Sequence, residues 1–154
     1  MSQRFNMRVG AEAVIVRDDA ILLVEYGNGW KRHFNLPGGG IEPGESIVDG
    51  LRREIREETC AEITVGPLLL ALEYFPPHFD QRYGDLHRLD LIFRCDLQAG
   101  SEPQLPARPD PHQVAVQWVP LVALSPEPLI PEIADQLLVL ITTPPTHNPF
   151  GAAS

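Results

Sequence analysis

Between Leu36 and Ala61 the chain reads LPGGGIEPGESIVDGLRREIREETCA, and three of its carboxylates, Glu54, Glu57 and Glu58, stand at i, i+3 and i+4. In a helix, which turns ~100° per residue, that spacing confines them to an arc of about 100° on one face. Like charges held so close repel unless a cation sits between them, and carboxylate oxygens are the donors that hard divalent ions prefer. An acidic run on a helix is by itself usually a solvated face. Here Gly38, Gly39 and Gly40 precede it, and main chain without Cβ atoms can approach a ligand or metal closely. With Glu45 upstream in register, the pattern points to a helix that holds a hard metal ion.

The elements that must position these groups can be read from periodicity. MRVGAEAVIVR, from Met7 to Arg17, and ILLVEY, from Ile21 to Tyr26, are β-rich and separated by Asp18-Asp19, which predicts a hairpin. Trp30 to Leu36 predicts a short third strand that stops at Pro37, followed by a flexible glycine turn and a second turn at Pro43-Gly44. A helix is predicted from about Glu45 or Ser46 to Thr59, with Ile47, Val48, Leu51 and Ile55 as its apolar stripe and Glu45 and Asp49 near its positive end. On that wheel Glu54 and Glu58 flank the edge of the stripe and Glu57 lies farther out, so the acids should sit at the rim of a packed interface. Downstream, Glu62 to Phe75 and Leu86 to Leu97 read as long strands, joined by a loop carrying Pro76, Pro77, His78, Asp80, Arg82 and Tyr83, a candidate for ligand selection. Val114 to Val119 reads as a further strand and Ile130 to Ile141 as a helix with Pro131 at its start. Strands and helices do not alternate regularly, which favours a mixed α/β sandwich over a doubly wound fold. Residues 1–142 are expected to form one domain and residues 143–154 a mobile tail.

A chain of 154 residues is about one domain, and at this size it can bury roughly 68 to 70% of its unfolded surface without staples. Cys60 and Cys95 are the only two cysteines and form no CxxC, so the expectation is a reducing, cytoplasmic setting without structural zinc. The histidines show no metal-ligand spacing. No apolar run is long enough for a membrane span, and a net charge of −9 argues against nucleic acid as a partner. A phosphate-bearing ligand would need metal to offset that charge.

Read from Gly39, the order is Gly39, five residues, Glu45, seven residues, then Arg53-Glu54-Ile55-Arg56-Glu57-Glu58, which with the leading LPGG resembles the signature of the Nudix (MutT-like) hydrolases. The resemblance covers about 26 residues closely, and the order of the flanking strands is similar to the Nudix fold, an α/β/α sandwich with a mixed β-sheet of the α+β kind. It implies hydrolysis of a diphosphate linked to another moiety, usually nucleoside-containing, with Mg²⁺ or Mn²⁺ as cofactor. Carried over, Glu54, Glu57 and Glu58 are implied metal ligands or base, the Gly38 carbonyl a further ligand, Arg53 an orienting residue in the catalytic group, and Gly39 and Glu45 structural positions of the motif. The chemistry agrees: hard cations held by oxygen donors neutralise a diphosphate and acidify water, and they suit these ligands better than zinc does. Arg53, four residues before Glu57, can pair with it and fix its rotamer.

Two departures stand out. Cys60 replaces the family glycine that permits a left-handed helix end, a substitution that costs ~1 kcal/mol or more of stability. Many family members also carry an acid before a tryptophan like Trp118, where this chain has Gln113 and Ala115. Asp110 is the nearest substitute, and Glu54 or Glu57 are the other candidates for the base. Pro76 and Pro77 fall near a marker of ADP-ribose-cleaving relatives. Phe75, Pro77, Tyr83 and Arg88 are the candidate substrate contacts, for stacking on a base or binding phosphate. The expected ligand is a nucleotide-type small molecule, ADP-ribose-like or a nucleotide sugar before a nucleoside triphosphate, with a homodimer open as the assembly. The alternative is a catalytically silent module that binds a nucleotide as a sensor.

Overall fold

A computed structural model of the chain describes residues 6–27, 32–81, 84–124 and 132–151. Seven strands form one mixed sheet: β1 (Arg8–Arg17), β2 (Ala20–Gly27), β3 (Arg32–Asn35), β4 (Gly38–Gly40), β5 (Ile63–Tyr74), β6 (Arg88–Leu97) and β7 (Gln113–Pro120). Its helices are α1 (Ile47–Thr59) and α2 (Ala134–Thr142). The main path of the sheet is β3-β2-β1-β6-β5, with β4 added to β1 and β7 to β2. β1 and β6 run parallel at its centre, from Arg8 beside Arg88 to Ile15 beside Cys95, and the other pairings are antiparallel.

Alternation along β1 explains why it lies between two layers. Ala11, Ala13 and Ile15 face one apolar cluster with Leu22, Ile63 and Phe93, where α1 buries Leu51 and Ile55. Val14 faces the other cluster, with Ile21, Leu23, Ile92 and Leu137 of α2. A strand buried on both faces reads as a nearly continuous apolar run, which is the character of VGAEAVIV apart from one glutamate. The expected sandwich with helices on both faces of a mixed sheet is therefore present. Trp118 packs against the α1-side cluster, with the Arg17 guanidinium 4.3 Å over its ring.

Three local differences have physical causes. Gly38–Gly40, expected as a flexible turn, is a strand paired antiparallel to β1, with Gly10 opposite Gly40 and Glu12 opposite Gly38. Composition alone suggested a bend, whereas pairing to a central strand satisfies the glycine main chain and holds it straight. The last helix begins at Ala134, later than the expected Ile130, and its proposed start at Pro131 lies outside the described residues, as does Trp30 of the third predicted strand. Finally, the segment after Thr142 touches the sheet: Asn148 Oδ1 accepts from the Leu68 N–H at 3.0 Å, and the Phe150 ring meets Phe93 edge-on at 5.0 Å. Among the described residues no helix is long and apolar enough to cross a membrane.

α1 starts at Ser46, whose hydroxyl accepts from the Asp49 N–H at 3.1 Å, and ends at Cys60, which has the left-handed φ of 59° and donates its N–H to the Arg56 carbonyl at 2.9 Å. A residue with a Cβ pays for that conformation and glycine does not. Cys60→Gly should therefore raise unfolding stability by about 0.5–1 kcal/mol after the added chain entropy of glycine is subtracted, read from the midpoint of urea denaturation. Loss of stability in that variant would contradict the strain assigned to Cys60.

Candidate active site

The three box carboxylates have different surroundings, with Glu57 the outermost as the helical wheel predicts. Glu58 is buried, at 4% exposure, Glu54 is largely covered and Glu57 projects into solvent. Glu54 lies over β4, where a Cβ on Gly39 would fall 2.5 Å from its carboxyl carbon. Gly38, at φ +148°, has no room for a side chain against the Ala11 carbonyl, and its N–H is bonded to the Glu58 carboxylate. The glycine strand is thus the surface on which two of the acids rest.

Arg53 fastens the loop to the helix. Its Nη2 and Nε donate to Glu45 at 2.7 and 3.0 Å, a bidentate fork, and Nη2 also donates to the Gly40 carbonyl at 3.1 Å. Nη1 donates to Glu54 at 3.0 Å and reaches Glu57 at 3.3 Å. Glu45 in turn accepts the Glu42 N–H at 2.8 Å, closing the turn before α1. Among the described residues no three His, Cys, Asp or Glu side chains are drawn together as a metal-holding group; the Arg53 guanidinium pairs with both Glu54 and Glu57.

Electrostatics single out Glu58. Burial first, then the charges of Glu54, Asp110 and Glu12, push its carboxyl up to about 9, against the downward pull of the Gly38 N–H. Burial likewise raises Glu54, despite its bonds to Arg53. Glu12, from β1, is held well above the usual carboxylate range by burial and by Asp90. The pocket is short of positive charge where the acids are deepest. Asp110 acts on Glu54, Glu58 and Tyr26 together, so the loop before β7 brings an acid to the site. Gln113 does something else: it is buried, and its Nε2 donates to the Glu58 main-chain carbonyl at 2.8 Å, satisfying one of the free carbonyls at the end of α1.

A cavity of about 260 Å³ opens beside the glycine strand. It is lined by Glu58, Gly38 to Gly40 and Tyr26, and by Arg8, Glu12, Arg88 and Asp90 from β1 and β6. Of the four substrate contacts expected from sequence, Arg88 lines this cavity. Phe75 and Pro77 do not; Phe75 packs edge-on against His78 and His87 at 4.9 and 5.3 Å, and Tyr83 lies outside the described residues. Arg8, Glu12, Asn35 and Asp90 were missed. The available signal was a charge interrupting each apolar central strand, Glu12 in VGAEAVIV and Asp90 in RLDLIF.

Glu45 provides a test of the Arg53 clamp. Its bonds to Arg53 and to the Glu42 N–H lower its carboxyl to about 2 from 4.5. A depressed folded value contributes stability above pH 4.5 that is lost as pH falls from 4.5 through about 2. Glu45→Gln should therefore melt below the wild type at pH 7, with the gap narrowing steadily below pH 4.5; a gap constant with pH would reject the charge-assisted clamp.

A protein-family model described as the NUDIX domain matches residues 7–139. An ADP-ribose pyrophosphatase of Methanocaldococcus jannaschii is 36% identical over 93 residues, covering 60% of this chain and 52% of that protein. The nucleoside triphosphatase NudI of Escherichia coli is 41% identical over 70 residues, covering 39% of this chain and 45% of that one. The chain thus spans about half the length of the curated relatives it matches. A crystal structure of an ADP-ribose pyrophosphatase from Streptococcus suis superposes with a TM-score of 0.66 at 25% identity, covering 93% of this chain and 96% of that one. The domain match runs from the first strand into α2, and with the glycine strand, the Arg53 clamp and the acidic helix in the order of the motif, the chain belongs to the NUDIX domain family.

Proposed function

We propose that this protein is a Mg²⁺-dependent hydrolase that cleaves the diphosphate linkage of a nucleoside diphosphate derivative, giving a nucleoside monophosphate and a second phosphorylated product. The observation that carries the reading is Glu54 lying over the glycine strand and Glu58 lining the polar cavity beside that strand, with more negative charge than Arg53 neutralises. The all-oxygen donor set fits a hard divalent cation: Glu54 and Glu58 would hold it, with the Gly38 carbonyl as a main-chain donor and exposed Glu57 as the arm left to close on it. When bound, such an ion screens the diphosphate oxyanions and acidifies water, so that an attacking hydroxide is available near neutral pH.

This chain's own residues then have separable roles. Arg53 keeps Glu54 charged and correctly turned while it anchors Glu45 and the loop. Glu54, Glu57 or Asp110 takes the proton of the attacking water; Asp110 is exposed and placed to act on the box acids, which compensates for Gln113 having a structural task. The relatives named as an ADP-ribose pyrophosphatase and a nucleoside triphosphatase support the chemistry, and the first favours ADP-ribose-like or nucleotide-sugar substrates. A second reading, a nucleotide sensor without turnover, draws on Gln113 standing where an auxiliary acid is common in the family. Chromatography of products from a panel of nucleotide derivatives with Mg²⁺ and Mn²⁺ separates the two, since monophosphate release excludes the sensor.

Glu57→Gln and Glu58→Gln should each lower metal-dependent turnover by about 10² or more with the far-ultraviolet dichroism unchanged, and near wild-type rates in both would refute the assignment. A stability readout accompanies this. A carboxyl raised from 4.5 to about 9 in the folded protein costs stability as pH climbs above 4.5, with the full cost present above about 9. Metal-free Glu58→Gln should therefore melt above metal-free wild type at pH 8 and match it near pH 4, while added Mg²⁺ should raise the melting temperature of the wild type only.

A further inference from the structure

The cavity that Glu58 lines also carries polar groups, Arg88 Nε and Asn35 Oδ1, whose hydrogen-bonding capacity the described residues leave unused. The parallel pairing of β1 and β6 places Gly10 beside Asp90 and Arg8 beside Arg88. Asp90 is 6% exposed and lies across Gly10, where a Cβ would come within 2.6 Å of its Oδ1. Its contact with Arg88 Nε is 3.7 Å, too long for a hydrogen bond, and that Nε is buried without a hydrogen-bond partner among the described residues. Asn35 Oδ1, also at the cavity, is in the same condition. A structural ion pair would close to bonding distance, and each buried polar atom left open costs about 1–3 kcal/mol. The Arg88 guanidinium is nonetheless held in place, 5.1 Å over the Tyr74 ring, whose hydroxyl donates to the Gly84 carbonyl at 2.6 Å.

We infer that Arg88, Asp90 and Asn35 form a base-selecting edge that takes guanine, so that of the substrates proposed above a guanosine diphosphate sugar is selected over ADP-ribose. This rests on the reading of the site as one for nucleoside diphosphates. Arg88 and Asp90, two residues apart on one face of β6, present a donor next to a two-oxygen acceptor. The Watson–Crick edge of guanine is the complement: O6 accepts, while N1–H and N2–H₂ donate to one carboxylate. Adenine places the bare N1 lone pair against that carboxylate, and uracil offers one N–H flanked by two carbonyls. Hypoxanthine keeps O6 and N1–H but lacks the N2 amine. The cavity, just under the ~300–1,000 Å³ usual for ligand clefts, has the scale of one base and its sugar rather than a dinucleotide.

Calorimetric titration of the intact protein with GMP, IMP, AMP and UMP in Mg²⁺ reads base selection without requiring turnover. GMP should bind at least about tenfold tighter than IMP and AMP, the scale of one bidentate carboxylate contact. Asp90→Asn should remove the GMP-over-IMP preference, because an amide cannot accept from both N1–H and N2–H, whereas Arg88→Gln should weaken GMP and IMP alike. AMP or UMP binding as tightly as GMP, no detectable GMP binding, or an unchanged base order in Asp90→Asn would each overturn the assignment. If Asp90→Asn does not fold, the wild-type GMP-to-IMP ratio decides. Turnover of matched derivatives without guanine preference would sink this inference and leave the hydrolase reading intact; guanine-selective binding without any turnover would do the reverse.

Discussion

One guanidinium holds the site together. Arg53 donates at once to Glu45 before the helix, to Glu54 and Glu57 on the helix and to the Gly40 carbonyl on the strand. Those groups belong to three separate stretches of backbone, and a planar fork of fixed donors can register all three where a flexible ammonium could not. The glycine strand is held from its other side by pairing to β1, so the clamp and the sheet together fix where the box acids stand. Everything inferred about the chemistry depends on that registration.

The clamp also limits how many of the acids can be satisfied from within. Arg53 neutralises Glu45 and serves Glu54 and Glu57, but Glu58 lies deeper, among Glu54, Asp110 and Glu12, with a single main-chain N–H as its partner. The folded chain thus carries unfavourable charge that its packing alone would not select. Such local conflict is characteristic of functional sites, where an interaction with a ligand offsets it. A divalent cation would supply the missing opposite charge, as in the reading proposed for the site.

The polar groups at the cavity differ in origin. Glu58 and the glycine strand come from residues close in sequence, ordered by one helix and one strand. Arg8, Glu12, Arg88 and Asp90 are brought together by the parallel pairing of β1 with β6, so Arg8 meets Arg88 only because the sheet closes.

Sequence alone determined most of the elements and the helix face, because both follow from local periodicity: the strands at each predicted stretch, the helix start near Ser46, and Glu54 and Glu58 at the edge of the apolar stripe with Glu57 farther out. Gly38–Gly40 is a strand where composition suggested a turn, since intrinsic preference yields to pairing with a central strand. What only the tertiary structure decided was which side chains meet across the sheet. Glu12, Asn35 and Asp90 had no local pattern beyond a polar group in an apolar strand or beside one, and Phe75 and Pro77 looked suitable yet point elsewhere. The reason is that a carboxylate on one strand acquires its role from the register of the strand beside it, and that register is set by long-range packing rather than by neighbours in the chain.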